Sequence, residues 1–130
     1  MLRDAEPVGR GERASSPAAG IKALATTSAG YAWTLGRADN QVTRDEALDH
    51  LRLVAGAVTV PVNADLEGGY AVDPRDVAAN VKMAADTGVA ALSIEDSSGD
   101  KANPLFDFEL AVERVAAARR GSMRAARGSV

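Results

Sequence analysis

A chain of 130 residues with 46% hydrophobic residues has the size of one globular domain and can bury a core. It contains no cysteine and a single histidine, His50, which excludes disulfides, thiolate metal sites and a multi-histidine zinc site. Any bound metal would therefore have oxygen ligands. The formal net charge of −3 gives no reason to expect nucleic acid or an anionic membrane as a partner.

The two ends of the chain show no periodicity that would predict secondary structure. Residues 1–20 mix Arg, Glu, Gly, Pro and Ser and are predicted to be a flexible leader, and residues 121–130 are predicted to be a frayed tail. No apolar run approaches the roughly 18 residues of a membrane span, and the N-terminus has no apolar signal-peptide core. We therefore expect a cytoplasmic protein whose folded domain covers residues 21–120.

The first half of that domain gives one strand signal and one helix signal. Residues 21–27 combine apolar and β-branched residues and predict a strand, and residues 28–40 read as a connection punctuated by Gly and Asn. Thr43 and Glu46 have the spacing of a capping box, and apolar residues then recur at helical intervals. This pattern predicts a helix over 44–57.

The alternation continues through the middle of the chain. Residues 60–66 are predicted to form a second strand. Asp73 followed by Pro74 is an N-cap with proline at the first helical position, and Gly88 is suited to the left-handed residue that ends such a helix. Residues 89–95 form the third predicted strand.

A last helix is predicted from Phe106 to about Arg120, with Leu110, Val112 and Val115 available for packing. Three strands that alternate with helices are typical of right-handed βαβ units and a parallel sheet. The predicted class is therefore α/β, with strands that carry one apolar and one polar face.

Acidic side chains follow the polar face of two of these strands. Asn63, Asp65 and Glu67 occupy alternate positions, and Ser93 and Glu95 do the same one strand later. A polar inner face with acids at the strand ends suits the mouth of a β/α barrel, where active sites lie at the carboxyl ends of the strands. The fold class that we predict is a partial (β/α)8 TIM-type barrel with about three parallel strands.

Four segments in combination resemble the isocitrate lyase and phosphoenolpyruvate mutase superfamily, in particular its phosphonomutase-like bacterial members. They are TTSAGYAWTLGRAD (26–39), PVNADLEGGY (61–70), SIEDSSGD (93–100) and NPLFDFELAVERVAAAR (103–119). The resemblance implies a β/α barrel of roughly twice this length. It also implies a Mg²⁺-dependent enzyme that acts on an α-oxo acid or its enolate and makes or breaks a C–C or P–C bond. The chain would then be a truncated member.

The resemblance also assigns roles to residues. Asp65, Glu67 and Glu95 correspond to the acids around the metal, which would be Mg²⁺ or Mn²⁺. Glu67 and Asp39 correspond to catalytic acids, Asp39 in the loop that closes over the site. The loop that binds the substrate carboxylate corresponds to the hydroxyl residues Thr26, Thr27 and Ser28. SSGDKANP replaces the cysteine-bearing loop of isocitrate lyases, which argues against isocitrate cleavage.

General chemistry favours such a site without choosing its details. Mg²⁺ prefers octahedral oxygen coordination and keeps several waters, so one direct carboxylate ligand, Asp65, with Glu67 and Glu95 acting through water would satisfy it. Glu67 could also reach the ion directly. Strand-end acids are otherwise common as helix caps or solvated charges, Thr26 to Ser28 could simply end a strand, and His50 is expected on the helix surface rather than as a base.

Two other functions stay open on the sequence alone. Three parallel strands cannot close a barrel, so the chain could be a non-catalytic fragment that self-associates as a homo-oligomer or complements a full-length relative. A receiver-like phosphoacceptor domain also gathers acids at strand ends, but the later strand-end lysine of that class has no counterpart here. We expect a small-molecule oxo acid as the partner, with no nucleic acid and no membrane.

Overall fold

The computed structural model of the protein describes the backbone of residues 20–127 and the side chains of residues 20–123. Its elements, in chain order, are β1 (Leu24–Ala25), α1 (Ser28–Thr34), α2 (Arg44–Ala57), β2 (Val62–Asp65), α3 (Pro74–Ala85), β3 (Ala91–Ser93) and α4 (Phe108–Arg127). The predicted α/β class with three parallel strands is confirmed. The predicted leader lies outside the described residues except for Gly20.

The three strands form one parallel sheet in the order β1-β2-β3. Ala25 is paired with Asn63 and Asp65 is paired with Ser93, so the carboxyl ends of all three strands lie at one edge of the sheet. This register brings the segments after β1, β2 and β3 next to each other. It is the reason that residues distant in sequence can share a site.

The core lies between the sheet and the helices α2, α3 and α4. On β2 and just after it, Val62, Ala64 and Leu66 are buried while Asn63 and Asp65 are only partly buried, which confirms the predicted alternation. The buried residues from the helices are Leu48, Leu51, Val77, Val81, Ala84 and Ala118.

The helix starts follow the predicted caps. The Thr43 side chain accepts from the backbone N–H of Glu46, and the Glu46 carboxylate accepts from the backbone N–H of Thr43, which completes the capping box of α2. Asp73 caps α3 by accepting from the N–H of Arg75 at 2.7 Å. The helix predicted over 44–57 is therefore confirmed at both bounds.

The predicted connection 28–40 contains a helix that the sequence pattern did not indicate. α1 begins after Thr27, whose hydroxyl accepts from the N–H of Gly30 at 3.3 Å. Ala32 is fully buried against Val42 and Ala47. The buried Ala32 and the partly buried Tyr31, rather than an apolar stripe, pack α1 against α2, so the sequence shows no helical period here.

The last helix packs on a face other than the predicted one. Val112 and Val115 are 51% and 53% exposed, whereas the buried positions of α4 are Arg114, Ala117, Ala118 and Gly121. Small residues let α4 approach α3 closely, and a Cβ at Gly121 would collide with the backbone of Ala78. α4 continues past this contact to Arg127, so the segment from residue 121 that is predicted to be a frayed tail is helical as far as the structure describes it. None of the described helices is long and apolar enough to cross a membrane.

Candidate active site

Asp65, the last residue of β2, is held by the segment that follows β1. Its Oδ2 accepts from the backbone N–H of Ser28 at 2.9 Å and from the Ser28 hydroxyl at 2.8 Å. Its own N–H donates to the Thr26 hydroxyl at 2.9 Å. The structure therefore brings together Thr26, Ser28 and Asp65, while the Thr27 hydroxyl is engaged in capping α1.

Glu67 lies two residues farther along, in an unusual setting for a glutamate. It is only 8% exposed, and its backbone adopts a left-handed conformation with φ of +47°. Its N–H donates to Asp65 Oδ1 at 3.2 Å and its carbonyl accepts from the N–H of Glu95 at 2.8 Å. Its Oε1 is buried and, among the described residues, has no hydrogen-bond partner. An unsatisfied buried carboxylate oxygen is rare in proteins and marks a place where a further group can bind.

Two glutamates at this edge of the sheet, Glu67 and Glu95, have a raised pKa. Burial is the main cause of the raised pKa of Glu67; the nearby charges of Asp39, Asp65 and Glu95 add to it, and the Tyr70 hydroxyl opposes it. The pKa of Glu95 is also raised, by burial first and then by the charges of Asp65 and Asp39. Such repulsion between carboxylates is what a bound cation would relieve.

Tyr70 completes this group, and sequence reasoning missed it. Burial raises the pKa of its hydroxyl, and the neighbouring Glu67 carboxylate raises it further. The tyrosine therefore stays protonated and can donate to Glu67. Its φ of +56° places it in the same turn as Glu67, a turn that the Gly68 and Gly69 pair had indicated without showing which side chain it would present.

The predicted metal set is only partly assembled. Within the described residues no group of three or more Asp, Glu or His side chains is arranged to hold a metal ion. Asp65 Oδ2 is occupied by Ser28, and Asp65 Oδ1 accepts only the 3.2 Å bond from Glu67. The remaining donors, Asp65 Oδ1 and the buried Oε1 of Glu67, are hard oxygens, which fit Mg²⁺ with most of its ligands supplied by water.

Asp39 lies on the exposed loop between α1 and α2. Its Oδ1 accepts from the N–H of Asn40 at 2.9 Å, and no hydrogen bond joins it to Asp65, Glu67 or Glu95 in the described part of the chain. Its charge nevertheless contributes to the raised pKa of both glutamates. The loop thus places Asp39 near the site without fixing it there.

His50 is predicted to lie on the helix surface, but in the structure it is partly buried. Its ring stacks on Tyr31 with 3.9 Å between the centroids and 9° between the planes, and burial lowers its pKa. Both rings border a small cavity that Asp65, Glu67 and Tyr70 also line. The helical pattern of α2 could not reveal this, because the partner Tyr31 belongs to the unpredicted helix α1.

Comparisons with known proteins identify the family of the chain and its fold. The sequence profile of the phosphoenolpyruvate phosphomutase family matches residues 13–128. A structure from Burkholderia cenocepacia J2315, described as a lyase/mutase, is 44% identical with a TM-score of 0.78; the match covers 81% of this chain and 38% of that one. A 2,3-dimethylmalate lyase of the PEP mutase/isocitrate lyase superfamily is 33% identical with a TM-score of 0.72, covering 82% of this chain and 38% of that one.

A phosphonopyruvate hydrolase solved with oxalate and Mg²⁺ is similar in fold alone, with 22% identity and a TM-score of 0.74 over 79% of this chain and 37% of that one. The comparison with curated proteins gives no match. The chain belongs to the phosphoenolpyruvate phosphomutase family, and it spans about two fifths of the length of the solved relatives. The predicted partial β/α barrel is confirmed.

Proposed function

We propose that this edge of the sheet is the metal-binding core of a lyase or mutase-like enzyme that acts on an α-oxo acid or its enolate. The bond made or broken would be C–C or P–C. The observation that carries the proposal is the arrangement of Asp65, oriented by Ser28, beside a buried Glu67 oxygen that has no partner among the described residues. Membership of a family that contains lyases supports the reaction class.

Asp65 would hold Mg²⁺ directly, and Glu67 and Glu95 would hold its waters. When bound, the ion would supply a Lewis acid that polarises the oxo group and stabilises an enolate oxyanion. The two hydrogen bonds from Ser28 fix the direction of the Asp65 carboxylate, so that its other oxygen faces the site. Such outer contacts set the orientation of a metal ligand.

The remaining residues would handle protons and the substrate carboxylate. Glu67 keeps a proton more readily than an ordinary glutamate, since its pKa is raised, and Tyr70 can donate to it, so this pair would move a proton at the reacting carbon. Thr26, Thr27 and Ser28 would face the substrate carboxylate, although the hydroxyls of all three already take part in hydrogen bonds. Asp39 would close over the site with its loop.

The test is enolate formation itself. Pyruvate or oxaloacetate would be incubated with the protein and Mg²⁺ in D₂O, and exchange of the C3 protons would be followed by NMR. We expect exchange faster than with Mg²⁺ alone, and a fall to that background in Asp65→Asn. Asp76→Asn, which removes an exposed acid from α3, is the matched control and should behave as the unchanged chain. Equal exchange in the chain and in Asp65→Asn would refute the proposal.

A second candidate function is association of two copies as a non-catalytic fragment. It is favoured by an apolar surface, here called the β3–α4 face, which comprises the outer edge of β3 and the exposed side chains of Phe108, Val112 and Val115. Within the described residues no strand pairs with the outer edge of β3. Unpaired edges and apolar patches of this kind promote association between chains.

Sedimentation would test it. A dimer that dissociates in Val112→Asp, while the exposed-leucine variant Leu53→Asp on α2 stays dimeric, would support association through this face. A monomer at all concentrations, or a dimer unaffected by Val112→Asp, would refute it. If the chain does not self-associate but binds the part of a full-length relative that it does not itself contain, it acts by complementation instead.

A further inference from the structure

The turn that carries Glu67 is strained. In the Glu67 loop, residues 66–72, three residues adopt left-handed backbone conformations: Glu67 with φ of +47°, Gly69 with +77° and Tyr70 with +56°. Two of them are not glycine. Such conformations are disfavoured and persist only where the surrounding structure determines them. The loop therefore needs an external support that holds it in this shape.

Arg114 of α4 supplies most of that support. Its Nη2 donates to the carbonyl of Gly68, and its Nη1 donates to the carbonyls of Ala71 and Val72, the last at 2.9 Å. The residue is 1% exposed, and its guanidinium lies 3.9 Å from the ring centroid of Phe106. A planar fork with fixed donor directions is suited to several carbonyls at once in a way that a lysine ammonium is not.

Asn80 of α3 holds the middle of the loop. Its Nδ2 donates to the carbonyl of Gly69 at 2.9 Å and reaches that of Tyr70 at 3.4 Å, while its Oδ1 accepts from Arg44 at 3.3 Å. Asn80 is also buried. Together, two buried side chains from two helices bind five consecutive carbonyls, those of residues 68–72, and the carbonyls of Leu66 and Glu67 accept backbone N–H groups.

Helix packing alone does not account for a charge at position 114. Among the residues whose side chains are described, no carboxylate forms a salt bridge with Arg114, and its Nε has no partner. Burying a guanidinium without a counter-charge is costly, and an apolar side chain would fill the same space between α4 and the loop at less cost. What an apolar side chain could not do is bind the three carbonyls.

We infer that Arg114 and Asn80 are positioning residues that hold the Glu67 loop in its left-handed shape and so keep the Glu67 carboxylate beside Asp65. The part of this inference that concerns the use of Glu67 rests on the proposed function. The part that concerns the shape of the loop does not. Gly68 shows how closely the loop is enclosed, because a Cβ there would lie 3.1 Å from the carbonyl oxygen of Ser97 and 3.5 Å from Arg114 Nη2.

The experiment compares Arg114→Lys with Arg120→Lys in the full chain. Both make the same chemical change on α4, but Arg120 is exposed. Amide hydrogen exchange would be measured at Glu67, whose N–H donates to Asp65 Oδ1, and at Gly69, whose N–H donates to the carbonyl of Leu66. Ala47 in α2 serves as an internal reference. Mn²⁺ affinity would be measured in the same samples.

We expect Arg114→Lys to exchange at Glu67 and Gly69 about tenfold faster or more, with Ala47 unchanged. Mn²⁺ affinity should fall by about 10–100-fold, the usual effect of losing an outer contact of a metal site. Arg120→Lys should match the unchanged chain in both measurements. If Arg114→Lys does not fold, Asn80→Ala takes its place with the same expected changes.

Unchanged exchange at Glu67 and Gly69 in the folded variant would overturn the inference. Faster exchange with unaltered Mn²⁺ affinity would also overturn it, because the loop would then not position the ligand. If the unchanged chain binds no Mn²⁺, the proposed function fails, and loop exchange alone decides whether the two side chains hold the loop.

Discussion

Two sides of the small sheet differ sharply in how completely they are partnered. Around the carboxyl end of β2, the carbonyls of the Glu67 loop are all bonded, three of them by the inner face of α4 through Arg114. Asp65 is oriented by Ser28, and the core residues Val77 and Val81 are fully buried. On the β3–α4 face, valines and Phe108 remain exposed. Among the described residues, the loop and the core beside it are therefore fully bonded and packed, whereas the β3–α4 face leaves apolar side chains exposed.

We expect the largest difference in stability between a valine-to-alanine substitution in the core and the same substitution on the β3–α4 face. Val81→Ala, at a fully buried position of α3, should lower the free energy of unfolding by about 2 kcal/mol, because two methyl groups leave a cavity in the core. Val115→Ala, which is 53% exposed, should stay within about 0.5 kcal/mol. Urea unfolding of both variants measures this. Equal losses would mean that the β3–α4 face is covered in solution.

A glycine pair tests the contact between α3 and α4. Gly121→Ala should destabilise by about 1–2 kcal/mol, since the added Cβ meets the backbone of Ala78 and the helices must move apart. Gly56→Ala in α2 meets no atom within 4 Å and should stabilise by about 0.5–1 kcal/mol through helix propensity. Thermal unfolding gives the sign of each. A stabilising Gly121→Ala would contradict the close approach.

The smallest effects concern two glutamates whose pKa values move in opposite directions. Hydrogen bonds from Arg37 and then Thr43 lower the pKa of Glu46 to about 2, so its contribution to stability is present above the unfolded value of about 4.5 and is lost as the pH falls from there toward 2. Glu46→Gln should therefore destabilise at neutral pH, with the difference closing in acid.

Burial raises the pKa of Glu67, so its ionised form disfavours the folded state above the unfolded pKa. Glu67→Gln should then stabilise the metal-free protein at neutral pH, and the gain should disappear as the pH falls through the raised pKa toward about 4.5. Unfolding curves at several pH values measure both variants. If Glu67→Gln destabilises the protein at neutral pH, as Glu46→Gln is expected to do, the ionised Glu67 carboxylate does not disfavour the folded state.

The sequence predicts those features that depend on local signals. The capping box of Thr43, the Asp73 cap and the alternation of β2 each lie within a few residues, and the helix over 44–57 was obtained at its observed bounds. The family resemblance, carried by combined motifs, was confirmed by the family profile. The alternation of strands and helices predicts the parallel direction of β2 and β3, but the pairing of Asp65 with Ser93 is known only from the structure.

Features that depend on tertiary contacts could not be predicted. α1 is held by the buried Ala32 and by Tyr31, and the orientation of α4 is set by Gly121 and Ala118 rather than by its valines. Arg114 looks like any surface arginine in a helix until the loop that it binds is known. The roles assigned to Asp39, Glu67 and Glu95 stay predictions, since the structure brings their charges near one another but forms no metal cluster among the described residues.

Binding of Mn²⁺ tests the central claim, an ion held at Asp65, most directly. Free Mn²⁺ would be followed by electron paramagnetic resonance as the protein is added with oxalate present, for the unchanged chain and for Asp65→Ala. The account predicts one bound ion per chain and a clear loss of binding in Asp65→Ala. Equal binding by the two proteins, or none by either, would contradict it.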